Sequence, residues 1–242
     1  MLVQSKIEYQ YDGKIFEGVL VYPNSFSNKL PALVMFPNWL GITEGASGLG
    51  NYQVQQGYIV FIIDLYGKHI RPKTNKEANE AMLPLRHNTD LLRAIMHQAL
   101  TTLMKQATTY NIDTLKIAAF GFCFGGCCAL ELARSGSDIK AAISFHGNLD
   151  TPNPQDAKNI KGSILVLDGA NAPLVPRSQL TDFMNEMNAA KVDWQLVSYG
   201  GVVHGFTDMS ANEPGVKQYN AKVTKRAFNA MNDLLSEVFA VN

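Results

Sequence analysis

Between Lys116 and residue 239 the chain alternates short apolar runs with segments of helical spacing, and this alternation restricts the fold more than any other feature. Lys116 to Phe122, Ile139 to Phe145, Ser163 to Leu167 and Asp193 to Tyr199 read as strands. Residues 124–135, 177–190 and 216–239 read as helices, and 148–162 as a polar loop. Strands that alternate with helices imply parallel βαβ units joined by right-handed crossovers. In the first half, Leu30 to Pro37 is a continuous apolar run, as a strand covered on both faces is, and Tyr58 to Asp64, rich in β-branched and aromatic residues, reads as the next buried strand. Helices are expected at 44–57, 75–83 and 88–110, the last from the spacing of Leu91, Leu92, Ile95, Leu100, Leu103 and Met104. The strand-like runs 5–11 and 14–22 are split by Asp12-Gly13, a pair suited to the positive φ of a tight hairpin turn. The expected class is therefore α/β, with a mostly parallel central sheet, an N-terminal antiparallel hairpin and helices on both faces. With no internal repeat, low-complexity tract or linker, residues 1–242 read as one domain.

Composition narrows the function classes. Of 242 residues 46% are hydrophobic and 17% charged, enough for a large core. A chain of this length buries roughly 70–75% of its unfolded surface. The 21 basic and 21 acidic residues balance, which leaves no electrostatic footprint for nucleic acid. The N-terminal residues lack the charged start and apolar run of a signal peptide, and no run approaches the ~20 residues that span a bilayer. Cys123, Cys127 and Cys128 are too few and too close for a disulfide framework, so a reducing, cytoplasmic setting is expected.

The chemistry concentrates in Gly121-Phe122-Cys123-Phe124-Gly125-Gly126, where a strand ends and a helix begins. A nucleophile elbow needs that context, with glycines that let helix and strand approach closely. Cys123 would stand at the helix N-terminus, whose dipole and unpaired N–H groups favour a thiolate. Cys127 and Cys128, one turn later, read as small packing residues. No second Cys/His cluster accompanies them, so no metal is expected. His204, on the glycine-flanked loop Gly200 to Phe206, takes the place in chain order where this architecture holds its base. A neutral imidazole there could accept the Cys123 proton. His69, His87 and His97 fall in or beside a polar segment and read as solvated. His146 ends a strand at the functional edge, as a pocket residue or a hydrogen-bonded structural one.

These segments, with Ile143-Ser144-Phe145-His146-Gly147, Ala172-Pro173-Leu174-Val175-Pro176 and Asp193 through Phe206, resemble the dienelactone hydrolase family over nearly the whole chain. The resemblance implies the α/β-hydrolase fold, with Cys123 as nucleophile and His204 as base. It also implies an oxyanion hole from the backbone N–H groups of Phe124 and Trp39. Three site positions depart from the family. Ala172 stands where the triad Asp is expected, Asn38 replaces a Glu, and Asp208 replaces an Arg that helps hold a substrate carboxylate. The candidates to orient His204 instead are Asn171, Asp150 and Asp168; the alternative is that nothing does.

The leading expectation is a hydrolase of a small neutral ester or lactone, working by acyl-thioenzyme chemistry with no metal or organic cofactor. Its partner is a small molecule, not nucleic acid or membrane. Phe122, Phe124, Trp39 and Phe206 suggest an apolar pocket, with Asn38 and His146 beside it. The alternative is a catalytically degenerate hydrolase fold kept for ligand binding or interaction, because function resides in the site rather than the fold.

Overall fold

In a computed structural model, which describes residues 2–240, the chain falls into two compact units, residues 1–119 and 120–242. The first unit opens with β1 (Leu2–Tyr11) and β2 (Lys14–Pro23). They pair antiparallel through the Asp12-Gly13 turn, in which Asp12 takes φ 46°. After β3 (Leu30–Phe36), Thr43 caps α1 (Glu44–Gln55) by accepting the Ala46 N–H. β4 (Ile59–Ile62) follows, and every one of its residues is buried, so both its faces are covered. Thr74 and Asn88 likewise cap α2 (Asn75–Arg86) and α3 (Thr89–Lys105). β5 (Ile112–Phe122) crosses the boundary at Ala119. The strands of this unit run in the order β1-β2-β4-β3-β5. β2 pairs antiparallel with β4, and β3 pairs parallel with it, so the hairpin is the antiparallel edge.

α3 stops five residues short of the expected 110. The chain turns at 106–111, where Asn111 takes φ 55°, and β5 begins at Ile112 rather than Lys116.

In the second unit β5 is followed by α4 (Phe124–Arg134) and β6 (Ala141–Phe145). A 3-10 turn, Pro154–Asn159, lies in the loop expected at 148–162. Then come β7 (Ser163–Gly169), α5 (Arg177–Ala190) and β8 (Trp194–Tyr199). The order is β5-β6-β7-β8, with β6–β7 and β7–β8 parallel. Every residue of β6 is buried, and α4 and α6 (Ala221–Ala240) both pack on it. The closing helix starts later than the expected 216. Residues 212–218 form a small antiparallel ladder of β9 (Asn212–Glu213) and β10 (Lys217–Gln218), and Asn220 Oδ1 accepts the Val223 N–H to start the helix.

Candidate active site

β5 ends at Phe122 and α4 begins at Phe124, which leaves Cys123 alone as the joint. Cys123 takes φ 55°, ψ −119°, a conformation that side-chain-bearing residues rarely adopt. Such strain costs on the order of 1–3 kcal/mol and persists only where the surroundings enforce it. Two close approaches do so here. A Cβ on Gly121 would lie 2.1 Å from the Gly125 carbonyl oxygen, and one on Gly147 would lie 2.9 Å from the Cys123 carbonyl oxygen. Glycine at both places lets helix, strand and the loop after β6 close on the turn. The Cys123 N–H donates to the Phe145 carbonyl at 3.0 Å, tying the turn to the end of β6. Cys123 is half-buried, whereas Cys127 and Cys128 are buried in α4. The Cys123 side chain does not cap the helix, and the first-turn N–H groups, Phe124's among them, point to that end.

His204 follows β8 and is pinned by its backbone: its N–H donates to Val216 O at 3.2 Å, and its carbonyl accepts from Gln218 N at 3.0 Å. The ring is buried, and its Nδ1 has no hydrogen-bond partner. Burial lowers its pKa to about 4; the Asp168 carboxylate opposes the shift and the Lys217 ammonium adds to it. The imidazole is therefore neutral at neutral pH. It can accept a proton at one nitrogen, but as a weak base.

Beside it stands His146, a left-handed residue with φ 43° at the end of β6. Its N–H donates to Leu167 O at 2.8 Å. Its ring lies 4.9 Å from that of His204 at 65°, and 5.0 Å from Phe206 at 80°. Its Nε2 is 2.8 Å from Thr207 Oγ1, and its Nδ1, like that of His204, is buried with no hydrogen-bond partner. Burial, with the nearby His204, holds its pKa well below the usual histidine range. Phe206 is fully buried and also meets Tyr199 edge-on at 5.7 Å. Neither the His146–His204 contact nor Thr207 was visible in the sequence; the only local signal is the His146-Gly147 pair after a strand.

The turn after β7 runs along the His204 loop. Ala170 N–H donates to Tyr199 O at 3.0 Å and Asn171 N–H to Val202 O at 2.9 Å. Ala172 is buried in this turn, so a methyl occupies the position where a carboxylate was sought. Asn171 is exposed and its Oδ1 accepts the Gly201 N–H at 3.0 Å. Asp150 is exposed beyond Leu149, and neither bonds the His204 Nδ1. Asp168 is buried but held by Arg177 at 2.6 and 3.2 Å and by Ser198 at 3.0 Å, so it acts on His204 through its field. Asp208 spends a carboxylate oxygen on the N–H and hydroxyl of Ser210.

In the first unit, Asn38 and Trp39 form the turn after β3. Asn38 Oδ1 accepts the Leu40 N–H at 3.0 Å, and the Trp39 carbonyl accepts the Tyr66 hydroxyl at 2.8 Å. His69 and His87 are exposed as expected. His97 is half-buried instead, because it falls on the packed side of α3, and burial and Arg93 lower its pKa. Among the described residues no group of three or more His, Cys, Asp or Glu could hold a metal ion, and no helix is long and apolar enough to cross a membrane.

A sequence model of the dienelactone hydrolase family matches residues 16–239. A putative carboxymethylenebutenolidase of Yersinia pestis is 24% identical over 195 residues, 76% of this chain and 71% of that protein. An uncharacterized protein of Caenorhabditis elegans is 37% identical over 134 residues, 53% of this chain and 84% of that one. Among solved structures, m3DLH superposes with a TM-score of 0.92 at 33% identity over 98% of both chains. A dienelactone hydrolase-like promiscuous phosphotriesterase, P91 from metagenomic libraries, does so with a TM-score of 0.90 at 30% identity, again over 98% of both.

Proposed function

The chain belongs to the dienelactone hydrolase family, and from that premise we propose that it hydrolyses small neutral esters or lactones, with Cys123 as nucleophile and His204 as base. The observation that carries this reading is the φ 55°, ψ −119° conformation of Cys123 between β5 and α4. Strain of that kind clusters at functional sites, and here it presents the side chain at a helix N-terminus. The thiol proton passes to His204 and the thiolate sulfur attacks the carbonyl carbon. The oxyanion forms against the Phe124 N–H. The C–O bond to the leaving alcohol breaks, and that oxygen takes the proton from His204. Water then attacks the thioester, gives its proton to His204, and the acid product leaves as the thiol re-forms.

The preference for neutral substrates rests on Asp208, a carboxylate that caps its own turn in place of a family Arg. Lys217, the cation that acts on His204, has its ammonium 3.6 Å from Glu213. The test is turnover of a carboxylated lactone against its neutral methyl ester, with wild type and His204→Ala. The neutral compound should be the better substrate and His204→Ala should lose it; a faster anionic substrate overturns the substrate class.

A second reading has its own support. The unpartnered Nδ1 of His204 suits a degenerate site kept for binding. Absence of turnover on every neutral ester, with a thiol that alkylates no faster than cysteine in an unfolded peptide, would favour it.

A further inference from the structure

The geometry points to His146 as the residue that takes over the task left open at Ala172: in the reacting enzyme its Nδ1 accepts the Nδ1–H of His204. The inference rests on the reading of His204 as base. Two nitrogens, on rings that meet edge to face with centroids 4.9 Å apart, are both buried and both lack a partner. A buried polar atom left unsatisfied is costly, and natural structures hold few of them. One hydrogen bond between these two satisfies both.

The proton inventory fits. Both rings are neutral, so each carries one N–H and one lone pair. If His146 donates its Nε2–H to Thr207 Oγ1, at 2.8 Å, its Nδ1 is left as an acceptor. If His204 carries its proton on Nδ1, its Nε2 lone pair is the one that must accept from Cys123. The two tautomers required are therefore the two that pair. The rings stand edge to face in this structure, and catalytic hydrogen bonds in unliganded enzymes are often loose and tighten only around the substrate.

The scaffold gives His146 the rigidity the role needs. Its backbone N–H is fixed on Leu167 O, and its ring is wedged against Phe206. Its neighbours Phe145 and Gly147 contact the Cys123 turn itself, through the Cys123 N–H···O bond to Phe145 and the close approach of Gly147. His146 touches no reacting atom, so it is a positioning residue. A neutral acceptor fixes the tautomer of His204 but stabilises its imidazolium less than a carboxylate does.

The test reads tautomers directly and then replaces each nitrogen separately. In the wild-type protein, 15N spectra of labelled histidines should show His204 protonated at Nδ1 and His146 at Nε2. Finding His146 protonated at Nδ1 overturns the inference, and this reading needs neither a variant nor an active enzyme. In His146→Asn the amide oxygen replaces Nδ1, and Asn tolerates a left-handed backbone. In His146→Gln the amide reaches toward Thr207 and leaves Nδ1 unreplaced. The expected result is kcat/KM near wild type for His146→Asn, a loss of roughly 10- to 100-fold in kcat for His146→Gln, and little change in KM for either. Equal activity for the two, or a better His146→Gln, overturns it. If wild type turns over no ester at all, the proposed function fails while the tautomers still decide the histidine pairing.

Discussion

Two buried polar clusters of the second unit hold the same loop after β6, and they are finished to different degrees. Around Arg134 all three guanidinium nitrogens donate, in four hydrogen bonds. Its Nε and one terminal nitrogen donate to Glu186 at 2.8 and 2.7 Å, another donates to Glu131 at 2.9 Å, and Leu149 O accepts at 2.9 Å. Around His146 and His204 two ring nitrogens are left over. Both clusters are almost fully enclosed, so burial does not separate them. Completeness does. A closed network fixes a backbone; an open one, beside a strained cysteine, keeps capacity for a proton.

The comparison makes one cluster responsible for stability and the other for chemistry, and it breaks if the roles exchange. The largest effect is expected at the strained joint. Cys123→Gly should abolish ester hydrolysis, at least ~10³-fold, since knocking out a nucleophile removes the chemical step. It should also raise stability by about 1 kcal/mol, the relief of φ strain less the extra unfolded-state entropy of glycine. Denaturant unfolding beside esterase rates reads both; a less stable protein would mean that the turn is not strained. Next comes Arg134→Met, which takes the guanidinium away from the buried carboxylates of Glu131 and Glu186. Loss of one partner of a buried ion pair costs about 3–5 kcal/mol. Tm should fall accordingly, while kcat per folded molecule stays within a few-fold.

Titration gives a smaller signal with a definite sign. His204 has a folded pKa of about 4 against an ordinary value of 6.5. Below pH 6.5 the unfolded chain therefore binds the proton first. This contribution to stability is complete above pH 6.5 and declines as pH falls toward 4, by about 3 kcal/mol in all. His146 is shifted the same way and adds to the loss. The acid limb of kcat/KM should correspondingly lie below pH 6.5, because the base stays unprotonated there. Unfolding curves and rates from pH 7.5 to 4.5 check both; an acid limb at 6.5 or above would mean that His204 is not the buried base described. The smallest effect is a gain. Ala172→Asp should raise kcat/KM about tenfold and raise the pKa of His204, provided its carboxylate reaches the vacant Nδ1. NMR titration of His204 beside the kinetics checks it. A shifted pKa with no gain in rate would mean that a carboxylate adds nothing to the orientation that the neutral His146 supplies.

The same contrast explains what could be read from the sequence. The elbow was legible because its demands are local: Gly121 is forced by the backbone of Gly125, four residues on. The strands of the second unit were legible because burial on both faces writes apolar runs such as Ile164 to Leu167. The hairpin at 212–218 was not, because its two-residue strands are too short to carry a period, and the second of them fell inside the helix expected from 216. His146 was legible as a residue at the functional edge but not as the neighbour of His204. That contact depends on β6 and the loop after β8 converging, and no spacing along the chain encodes it. Asn171 adjoined the position of interest in sequence, yet its side chain turns outward to Gly201. Adjacency along the chain carries little information about direction in a tight turn.

Covalent capture of the acyl group tests the central claim most directly. The protein is mixed with a neutral aryl ester, quenched in acid within the first turnovers, and its peptides are weighed by mass spectrometry. The account predicts one acyl group, on the peptide that carries Cys123, its amount rising when deacylation is slowed in His204→Ala treated with a more activated ester. Acylation at another residue, or ester hydrolysis that persists in Cys123→Ala, would contradict it.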